Sequence, residues 1–308
     1  MNVAVIIPCF NEEISIAKVV KDFQTSLPQA KIFVFDNNST DSTIIEAKKA
    51  GAEVFSVAYQ GKGSVVRQAF ADIEADYYIM VDGDNTYDAS KSPEMLNLMI
   101  ANNLDMVVGK RVDDNNPLAY RRGHRFGNKM LTFFVNFIFG KNFTDMLSGY
   151  RVFSRRFVKS FPVMSKGFEI ETEINIHSLE MSMNVAEVDT TYRDRMDESF
   201  SKLSTYKDGF KILFMIISLF RYKKPLFFFS LISIFLTLIA FLIALPILLN
   251  YISTGLVPRF PSAFLSLGLV TIAIILFCCG LVLDAVARAK LEIKKLFFLQ
   301  IGKTNVNK

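Results

Sequence analysis

Short apolar runs alternate with amphipathic stretches along about the first third of the chain. Five runs rich in β-branched and aromatic residues predict strands: VAVIIPC, KIFVFDN, EVFSVA, YYIMVDG and DMVVGKR. The segments between them have the apolar spacing of helices: EEISIAKVVKDFQTSL, DSTIIEAKKAG, KGSVVRQAFADIE and SPEMLNLMIANN. Because this alternation is typical of repeated βα units, the sequence predicts an α/β fold with a mostly parallel sheet covered by helices on both faces.

Polar residues directly follow each predicted strand, in the segments PCFNEE, DNNSTDST, YQGKGS, DGDN and GKRVDD. Ligands of open α/β sheets bind outside the carboxyl ends of the strands, so these residues are candidates for a binding site. Each also has a local explanation, since Asp41 or Ser42 can cap a helix and glycines can turn the chain. GKGS lacks the earlier glycine of a Walker A loop and the third glycine of a dinucleotide fingerprint, which argues against both motifs.

Two carboxylates stand side by side after the fourth predicted strand, where only Gly83 separates Asp82 from Asp84. Neighbouring anions repel and raise each other's pKa unless a cation lies between them. Mg²⁺ and Mn²⁺ prefer oxygen ligands, and Mg²⁺ commonly shares its coordination shell with substrate phosphates. We therefore expect Asp82 and Asp84 to hold Mg²⁺ or Mn²⁺ on a diphosphate. The alternative is a solvated turn, because Asp-Gly is also an ordinary hairpin signal.

The most apolar sequence lies toward the C-terminal end of this 308-residue chain, of which 51% is hydrophobic. PLFFFSLISIFLTLIAFLIALPILLNYISTGLVP and FPSAFLSLGLVTIAIILFCCGLVL carry no charge. Each is long enough to cross about 30 Å of hydrocarbon as a helix. Basic residues flank the pair, whereas the connecting loop has only Arg259, so the positive-inside rule predicts that both termini are cytoplasmic. We expect an integral protein of the inner or plasma membrane without a signal peptide.

These patterns predict four regions along the chain. Residues 1–203 form a cytosolic α/β domain, 204–224 a juxtamembrane amphipathic helix, 225–287 a hairpin of two membrane spans and 288–308 a cytoplasmic tail. Within the first region, the basic KRVDDNNPLAYRRGHRFGNK precedes the apolar MLTFFVNFIFG, which is typical of a helix in the membrane interface whose cations face lipid phosphates. The alternative is a solvated basic face over a core helix.

Composition argues against several other chemistries. The chain has 3 cysteines and 2 histidines without the spacing of metal ligands, so neither a zinc site nor disulfides are expected. The formal net charge is only +5, and no nucleic-acid-binding motif is present, so we expect no nucleic-acid partner.

Four segments, in their order and spacing, resemble family 2 glycosyltransferases of the GT-A fold: IIPCFNEE, VFDNNSTDST, VDGD and DMLSGYRVFSRR. GFEIETEINIHSLE, YRDRMDESFSKL and the two apolar segments further resemble polyisoprenyl-phosphate glycosyltransferases, the group that includes dolichol-phosphate mannose synthase and bactoprenol glucosyltransferases. The resemblance implies a GT-A, Rossmann-like nucleotide-sugar-binding domain with interfacial amphipathic helices, followed by two transmembrane helices.

The resemblance also implies a reaction. A sugar would pass with inversion from a nucleotide-diphosphate sugar, of the UDP-glucose type, to a polyprenyl phosphate such as undecaprenyl phosphate. The product would be a polyprenyl-phosphate sugar for glycan or lipopolysaccharide modification. An acceptor phosphate is already anionic, so the site requires cations rather than a strong general base, and a divalent ion can stabilise the departing diphosphate. The donor base and sugar stay open, as does a homo-oligomer, for which the family offers a precedent.

Carried over motif by motif, the resemblance implies roles for individual residues. The nucleotide sugar would contact Pro8, Asn11, Glu12, Asp36, Asn38, Lys62, Arg67 and Asp82, with the metal on Asp82 and Asp84. The catalytic set would be Asp82, Asp84, Arg111, Glu169 and Glu171. The acceptor phosphate would be bound by Arg111, Arg122, Arg125, Ser148, Arg151, Arg193 and Arg195, with Asp145 bordering that site. Lys110 stands where the family has a serine before the arginine, which puts a local hydrogen bond in doubt but not Arg111 itself.

Two other functions fit the sequence less well. A processive polysaccharide synthase of the same fold is disfavoured because the chain has no Trp, which excludes a Q-x-x-R-W motif, and because two spans are too few for a translocating pore. A catalytically silent membrane anchor that binds nucleotide sugar and a partner membrane protein is disfavoured by the presence of Asp82, Asp84 and Arg111. Only an activity measurement excludes the silent anchor.

Overall fold

A computed structural model describes residues 1–113, 143–165, 167, 169–193, 217–218, 220–257 and 259–302. The chain divides into two compact units. The first comprises Met1–Gly209 with Lys294–Lys308, and the second comprises Phe210–Ile293. The candidate site residues that the structure describes all belong to the first unit.

One seven-stranded sheet organises the first unit. Its strands are β1 (Val3–Cys9), β2 (Lys31–Asp36), β3 (Glu53–Ser56), β4 (Tyr77–Met80), β5 (Met106–Asp113), β6 (Arg151–Ser154) and β7 (Val185–Tyr192). They lie side by side in the order β3-β2-β1-β4-β6-β5-β7. β6 is antiparallel to both of its neighbours, and the other pairs are parallel. The carboxyl ends of β1, β2 and β4 therefore meet at one edge of the sheet.

Six helices pack on this sheet in the described part of the unit. They are α1 (Ile16–Ser26), α2 (Thr43–Lys49), α3 (Lys62–Asp72), α4 (Ser92–Ala101), α5 (Arg155–Ser160) and α6 (Ile170–Glu180). The helix α1 buries Ile16, Val19, Val20 and Phe23, which share one face because they recur at helical spacing. In β1, the successive residues Ile6 and Ile7 point to opposite faces of the sheet and both are fully buried, so both faces are covered.

The α/β fold expected from the sequence is confirmed, with each of the five predicted strands present. The prediction for β1 matches its observed bounds, and α1 to α4 lie within their predicted segments. The strands β6 and β7 were not predicted. β6 is only four residues long and fully buried. Because it begins with the charged Arg151, the sequence lacks the apolar run that predicts a buried strand. This strand inserts between β4 and β5 and is the only antiparallel member of the described sheet.

The described part of the second unit contains two long helices, α7 (Pro225–Thr254) and most of α8 (Phe260–Gln300). Both are long and apolar enough to cross a membrane, and only 11% and 17% of their most apolar windows are buried. They pack closely, since the Ser233 hydroxyl donates to the Ala273 carbonyl at 2.8 Å and a Cβ on Gly280 would lie 2.9 Å from Phe229 Cβ. The helix α8 continues beyond residue 287, the expected end of the hairpin. Most of the predicted 204–224 helix lies outside the described residues.

Candidate active site

Four carboxylates from three neighbouring strand ends contribute negative charge near the buried thiol of Cys9, the last residue of β1. Burial raises the pKa of this thiol well above its ordinary value, and the negative charges of Glu12, Asp36, Asp82 and Asp84 raise it further. These residues are far apart in sequence, but β2 and β4 flank β1 in parallel. The parallel pairing therefore brings together four of the residues that the sequence proposed for the nucleotide and the metal.

Asparagines turn the chain sharply after three of these strands. Asn11, Asn38 and Asn85 have φ values of 53°, 65° and 58°, a left-handed conformation that asparagine tolerates better than most residues. The Asn11 side-chain oxygen accepts a hydrogen bond from Thr40 N at 2.8 Å, which ties the loop after β1 to the loop after β2. The Asn38 amide donates to the Ala58 carbonyl at 3.2 Å. Both predicted residues thus shape the rim through local hydrogen bonds.

Asp36 presents a buried oxygen to this rim. The residue is only 2% exposed, and its Oδ2 accepts from Ser39 N at 3.1 Å. Its Oδ1 has no hydrogen-bond partner within the described part of the chain. A buried acceptor without a donor costs about 1–3 kcal/mol, so this oxygen is suited to a donor group brought by a ligand. Glu12 and Pro8 lie beside it at the end of β1, where Glu12 N donates to Thr43 Oγ1 at 2.8 Å.

Lys62 joins two predicted site residues. This side chain, at the start of α3, is 9% exposed, and its Nζ lies 2.5 Å from Asp82 Oδ1 and 2.6 Å from Glu171 Oε1. Burial disfavours the ammonium ion, but the charges and hydrogen bonds of Asp82 and Glu171 outweigh it, so the pKa of Lys62 is raised. The protonated lysine therefore holds together two carboxylates that would otherwise repel. Of the two glutamates predicted to be catalytic, Glu171 is the one bonded to Lys62 and is buried, whereas Glu169 at the start of α6 is exposed.

Two glycines allow the Asp82–Asp84 loop to lie close to its neighbours. A Cβ on Gly83 would lie 2.6 Å from Cys9 Sγ, and a Cβ on Gly149 would overlap Asp82 Oδ2 and lie 2.8 Å from its Cγ. The Gly149 N–H donates to the Tyr87 hydroxyl at 2.8 Å, which fixes this approach. Sequence reasoning overlooked Tyr87 and Gly149. The LSGYR motif offered Gly149 as a candidate, but the sequence does not show that this glycine lies against Asp82.

The carboxylates of the Asp82–Asp84 loop suit a hard divalent cation if a substrate supplies further oxygen ligands. Asp84 is 6% exposed, and its Oδ1 accepts from Thr86 Oγ1 at 2.7 Å, which orients the carboxylate. Among the described residues, no three Asp, Glu, His or Cys side chains are grouped so that they could hold a metal. Mg²⁺ or Mn²⁺ takes oxygen ligands and accepts water and phosphate oxygens in its shell. Two carboxylates beside a diphosphate are therefore a sufficient donor set.

Arg111, on β5, is paired with Asp145. Its Nε donates to Asp145 Oδ2 at 2.7 Å and its Nη2 to Oδ1 at 2.8 Å. The guanidinium carbon lies 5.4 Å from the centre of the Tyr192 ring. Burial alone would raise the pKa of the Asp145 carboxyl, but the hydrogen bonds and charge of Arg111 lower it below its usual value. The pair is therefore ionised at neutral pH.

Two residues expected to bind the acceptor phosphate are instead in the core. Arg151 is fully buried, where its guanidinium donates to the carbonyls of Ser148 and Met146 and to the Asn175 side chain at 2.8, 3.1 and 2.6 Å. Burial lowers the pKa of Arg151 to about 10. Ser148 is also fully buried, and its hydroxyl donates to the Gly109 carbonyl at 2.6 Å. The structure therefore argues against these two assignments, because both side chains are fully enclosed and their polar groups are already hydrogen-bonded to acceptors in the core.

Other predicted residues have different surroundings. Arg67, expected at the nucleotide, donates from Nε to the Val163 carbonyl at 3.0 Å and joins α3 to the segment before α6. Arg193 follows β7 and lies beside the Asp84 loop, since its backbone N–H donates to the Thr86 carbonyl at 2.8 Å. Its side chain is half exposed, as an anion-binding role requires. The remaining predicted arginines, Arg122, Arg125 and Arg195, lie outside the described residues.

Replacing Lys62 by methionine tests the buried ion pairs. Because the variant leaves Asp82 and Glu171 facing each other without their cation, we expect the stability of the first unit to fall by about 3 kcal/mol. Thermal unfolding of the purified full-length protein measures this loss. Lys91→Met is the control, since Lys91 pairs with Glu94 at the exposed surface and its removal should leave unfolding unchanged. Equal unfolding of the wild type and the Lys62 variant would contradict the structural role.

The mixed sheet and its acidic strand ends define the class of protein as a glycosyltransferase of the GT-A type. The profile described as Glycosyl transferase family 2 matches residues 4–161, and the chain belongs to this family. It is 60% identical over 124 residues to Protein RfbJ of Shigella flexneri, covering 40% of this chain and 96% of the relative. It is 37% identical over 229 residues to Glycosyltransferase AglJ of Haloferax volcanii, covering 74% and 75% of the two chains. A third relative, from the same archaeon, is named dolichyl-phosphate hexose transferase; it is 28% identical over 208 residues, covering 68% and 89%.

Solved structures share the fold at lower identity. Glucosyl-3-phosphoglycerate synthase from Mycobacterium tuberculosis, in complex with phosphoglyceric acid, superposes with a TM-score of 0.58 at 21% identity and covers 70% of this chain and 79% of that chain. The same enzyme with Mn²⁺ and UDP-glucose gives a TM-score of 0.56 at 20% identity, covering 71% and 78%. At this identity the likeness establishes the fold.

Proposed function

We propose that this glycosyltransferase moves a sugar from a nucleotide-diphosphate sugar, of the UDP-glucose type, to a polyprenyl phosphate such as undecaprenyl phosphate. The product is a polyprenyl-phosphate sugar for glycan or lipopolysaccharide modification. One observation carries the proposal. Asp36 and the Asp82–Asp84 loop stand at the ends of the two strands that flank β1, and Arg111 lies against Tyr192, in a chain that also has two helices apolar enough to cross a membrane.

The donor binds at the acidic rim. The buried Asp36 Oδ1 accepts a hydrogen bond from the base or ribose, between the loops that Asn11 and Asn38 shape. Lys62 and Glu171 border the sugar end of the donor, because Lys62 binds Asp82 and also holds Glu171 beside it. A donor of the UDP-glucose type is proposed by analogy with the structural neighbour crystallised with Mn²⁺ and UDP-glucose, and the assay below decides the base and the sugar.

Asp82 and Asp84 would hold Mg²⁺ or Mn²⁺ beside the donor diphosphate. When bound, the ion stabilises the negative charge that develops on the departing nucleotide diphosphate. The chain's own contribution is to orient the ligands: Thr86 fixes Asp84, and Lys62 and Gly149 fix Asp82. The site thereby keeps its negative groups in place before the donor arrives.

The acceptor phosphate binds on the opposite side, at Arg111. Arg193 at the end of β7 assists, together with Arg122, Arg125 and Arg195 in the basic segments of the sequence. A phosphate oxygen attacks the anomeric carbon from the face opposite the leaving diphosphate, so the configuration inverts. This oxygen is anionic at neutral pH, and the site therefore needs no strong general base. A polyprenyl acceptor is supported by the name of the relative dolichyl-phosphate hexose transferase.

The two apolar helices anchor the protein in the inner or plasma membrane, with the catalytic unit and both termini on the cytoplasmic side. The basic residues Arg221, Lys223 and Lys224 precede α7, and Arg288, Lys290, Lys294 and Lys295 lie in the last turns of α8. By the positive-inside rule, these charges favour the cytoplasmic face. Nucleotide sugars and the lipid phosphate are then accessible from the same side.

The test incubates detergent-purified full-length protein with radiolabelled nucleotide sugars, a polyprenyl phosphate and Mg²⁺ or Mn²⁺, and follows label into the organic phase. We expect label from one donor, lost when EDTA removes the divalent ion. That result establishes the reaction and identifies the sugar. Lipid label that survives EDTA contradicts the metal assignment. No lipid label from any donor, with nucleotide binding intact, contradicts the proposed reaction and favours another acceptor or a catalytically silent anchor.

A further inference from the structure

The ion pair between Arg111 and Asp145 is largely buried and has bidentate geometry. The two side chains are only 12% and 8% exposed, and the carboxylate accepts from two nitrogens of the guanidinium. Asp145 Oδ2 also accepts from the backbone N–H of Arg111 at 3.2 Å, and Oδ1 accepts from Leu147 N at 3.2 Å. Bidentate pairing fixes the plane of a guanidinium as well as its position. Asp145 therefore determines which edge of Arg111 faces the site.

Asp145 is itself held firmly by two neighbouring strands. On its N-terminal side, Thr144 N and Asp145 N donate to Glu187 on β7 at 2.8 and 3.3 Å. On its C-terminal side, Ser148 Oγ donates to the Gly109 carbonyl on β5 at 2.6 Å. The carboxylate thus sits on a segment anchored at both ends. This rigidity makes Asp145 a fixed reference for the long and otherwise flexible arginine.

Arg111 needs such a reference because the site contains competing carboxylates. The end of β7 links Arg111 to these carboxylates. The Arg111 guanidinium carbon lies 5.4 Å from the centre of the Tyr192 ring. The next residue, Arg193, donates from its backbone N–H to the carbonyl of Thr86, whose hydroxyl donates to Asp84. An arginine without a fixed partner would be attracted to those aspartates. It would then present a different edge to an acceptor anion.

We propose that Asp145 is a positioning residue that acts through Arg111. By occupying the Nε–Nη2 edge, it keeps the guanidinium directed at the acceptor phosphate and away from Asp82 and Asp84. The inference rests on the proposed function, in which Arg111 binds that phosphate. It assigns Asp145 no contact with either substrate, in contrast to a role at the border of the acceptor site.

Asp145→Asn keeps the size of the side chain but removes the charge and one of the two paired acceptors. Because hydrogen bonds to charged groups are worth about 1.5–3 kcal/mol, we expect the KM for the polyprenyl phosphate to rise about tenfold or more. The KM for the nucleotide sugar and the Kd for UDP should not change, and thermal unfolding shows whether the variant is folded at the assay temperature. Asp145→Glu, which restores a carboxylate, should recover part of the lost acceptor affinity. Asp189→Asn is the matched control, because Asp189 pairs with the adjacent Lys110 but is 70% exposed.

A double-variant cycle with Arg111→Ala separates positioning from general stability. If Asp145 acts through Arg111, Asp145→Asn causes no additional loss in the Arg111→Ala background. Additive losses would overturn the proposal, as would unchanged acceptor affinity or a loss of UDP binding in Asp145→Asn. Direct binding of farnesyl phosphate is measured in parallel. If the wild type binds this lipid phosphate without sugar transfer, the proposed reaction fails but the binding cycle still decides the role of Asp145. If the wild type does not bind it, both are contradicted.

Discussion

Gly149→Ala is expected to reduce sugar transfer by about a hundredfold or more, because displacement of a substrate-positioning group by about 1 Å has effects of that size. The new Cβ would overlap Asp82 Oδ2 and lie 2.8 Å from Asp82 Cγ. Asp82 has little room to retreat, since its other oxygen is bound by Lys62 at 2.5 Å. The carboxylate must move away from the place where the diphosphate and its metal ion would bind. Initial rates of lipid labelling measure the loss.

Gly268→Ala is the matched control for this substitution, because a Cβ there would meet no atom within 4 Å. It should transfer sugar at the wild-type rate. Thermal unfolding of both variants shows whether the Gly149 variant is still folded. A folded Gly149→Ala protein with wild-type transfer would mean that Asp82 is not held in its active position by the close approach of Gly149.

Asp84→Asn should lower metal-dependent transfer by about a thousandfold, the upper range for the loss of one preorganised electrostatic group. Asparagine has the shape of aspartate and can still accept from Thr86, so the loop should keep its conformation. The negative charge that would bind the divalent ion is lost. We therefore expect the metal-dependent part of UDP binding to disappear together with activity, while thermal unfolding stays close to that of the wild type.

The comparison for Asp84→Asn is Asp76→Asn, which makes the same chemical change at the opposite end of β4. Asp76 accepts from Asn2 N at 2.7 Å in an exposed position and should be dispensable for transfer. Undiminished turnover in Asp84→Asn would exclude this carboxylate as a metal ligand. Lost UDP binding in the Asp76 variant would show instead that the loop responds to any change in the strand.

Much of the site could be predicted because it lies where parallel strands end. The Asp82–Asp84 pair and Asp36 each follow an apolar run, and the parallel order of β2, β1 and β4 brings such residues together. Arg151 shows the limit of this reasoning. Its position among other arginines suggested a phosphate ligand, but the fold buries it against the carbonyls of Met146 and Ser148 and the side chain of Asn175. The sequence alone does not show whether a charged side chain is buried and hydrogen-bonded to acceptors in the core.

The sequence by itself determined the α/β class, the two apolar helices and the acidic strand ends, because hydrophobic periodicity and residue type are local properties. The tertiary structure decided which charges meet. Lys62 reaches Asp82 and Glu171, Arg111 reaches Asp145, and Gly149 lies against Asp82. These partners come from separate elements of the sheet and its helices. The contacts of Asp145 and Gly149 depend on the insertion of β6 between β4 and β5, because both residues lie in the segment that leads into this strand, and no local pattern of the chain specifies the insertion.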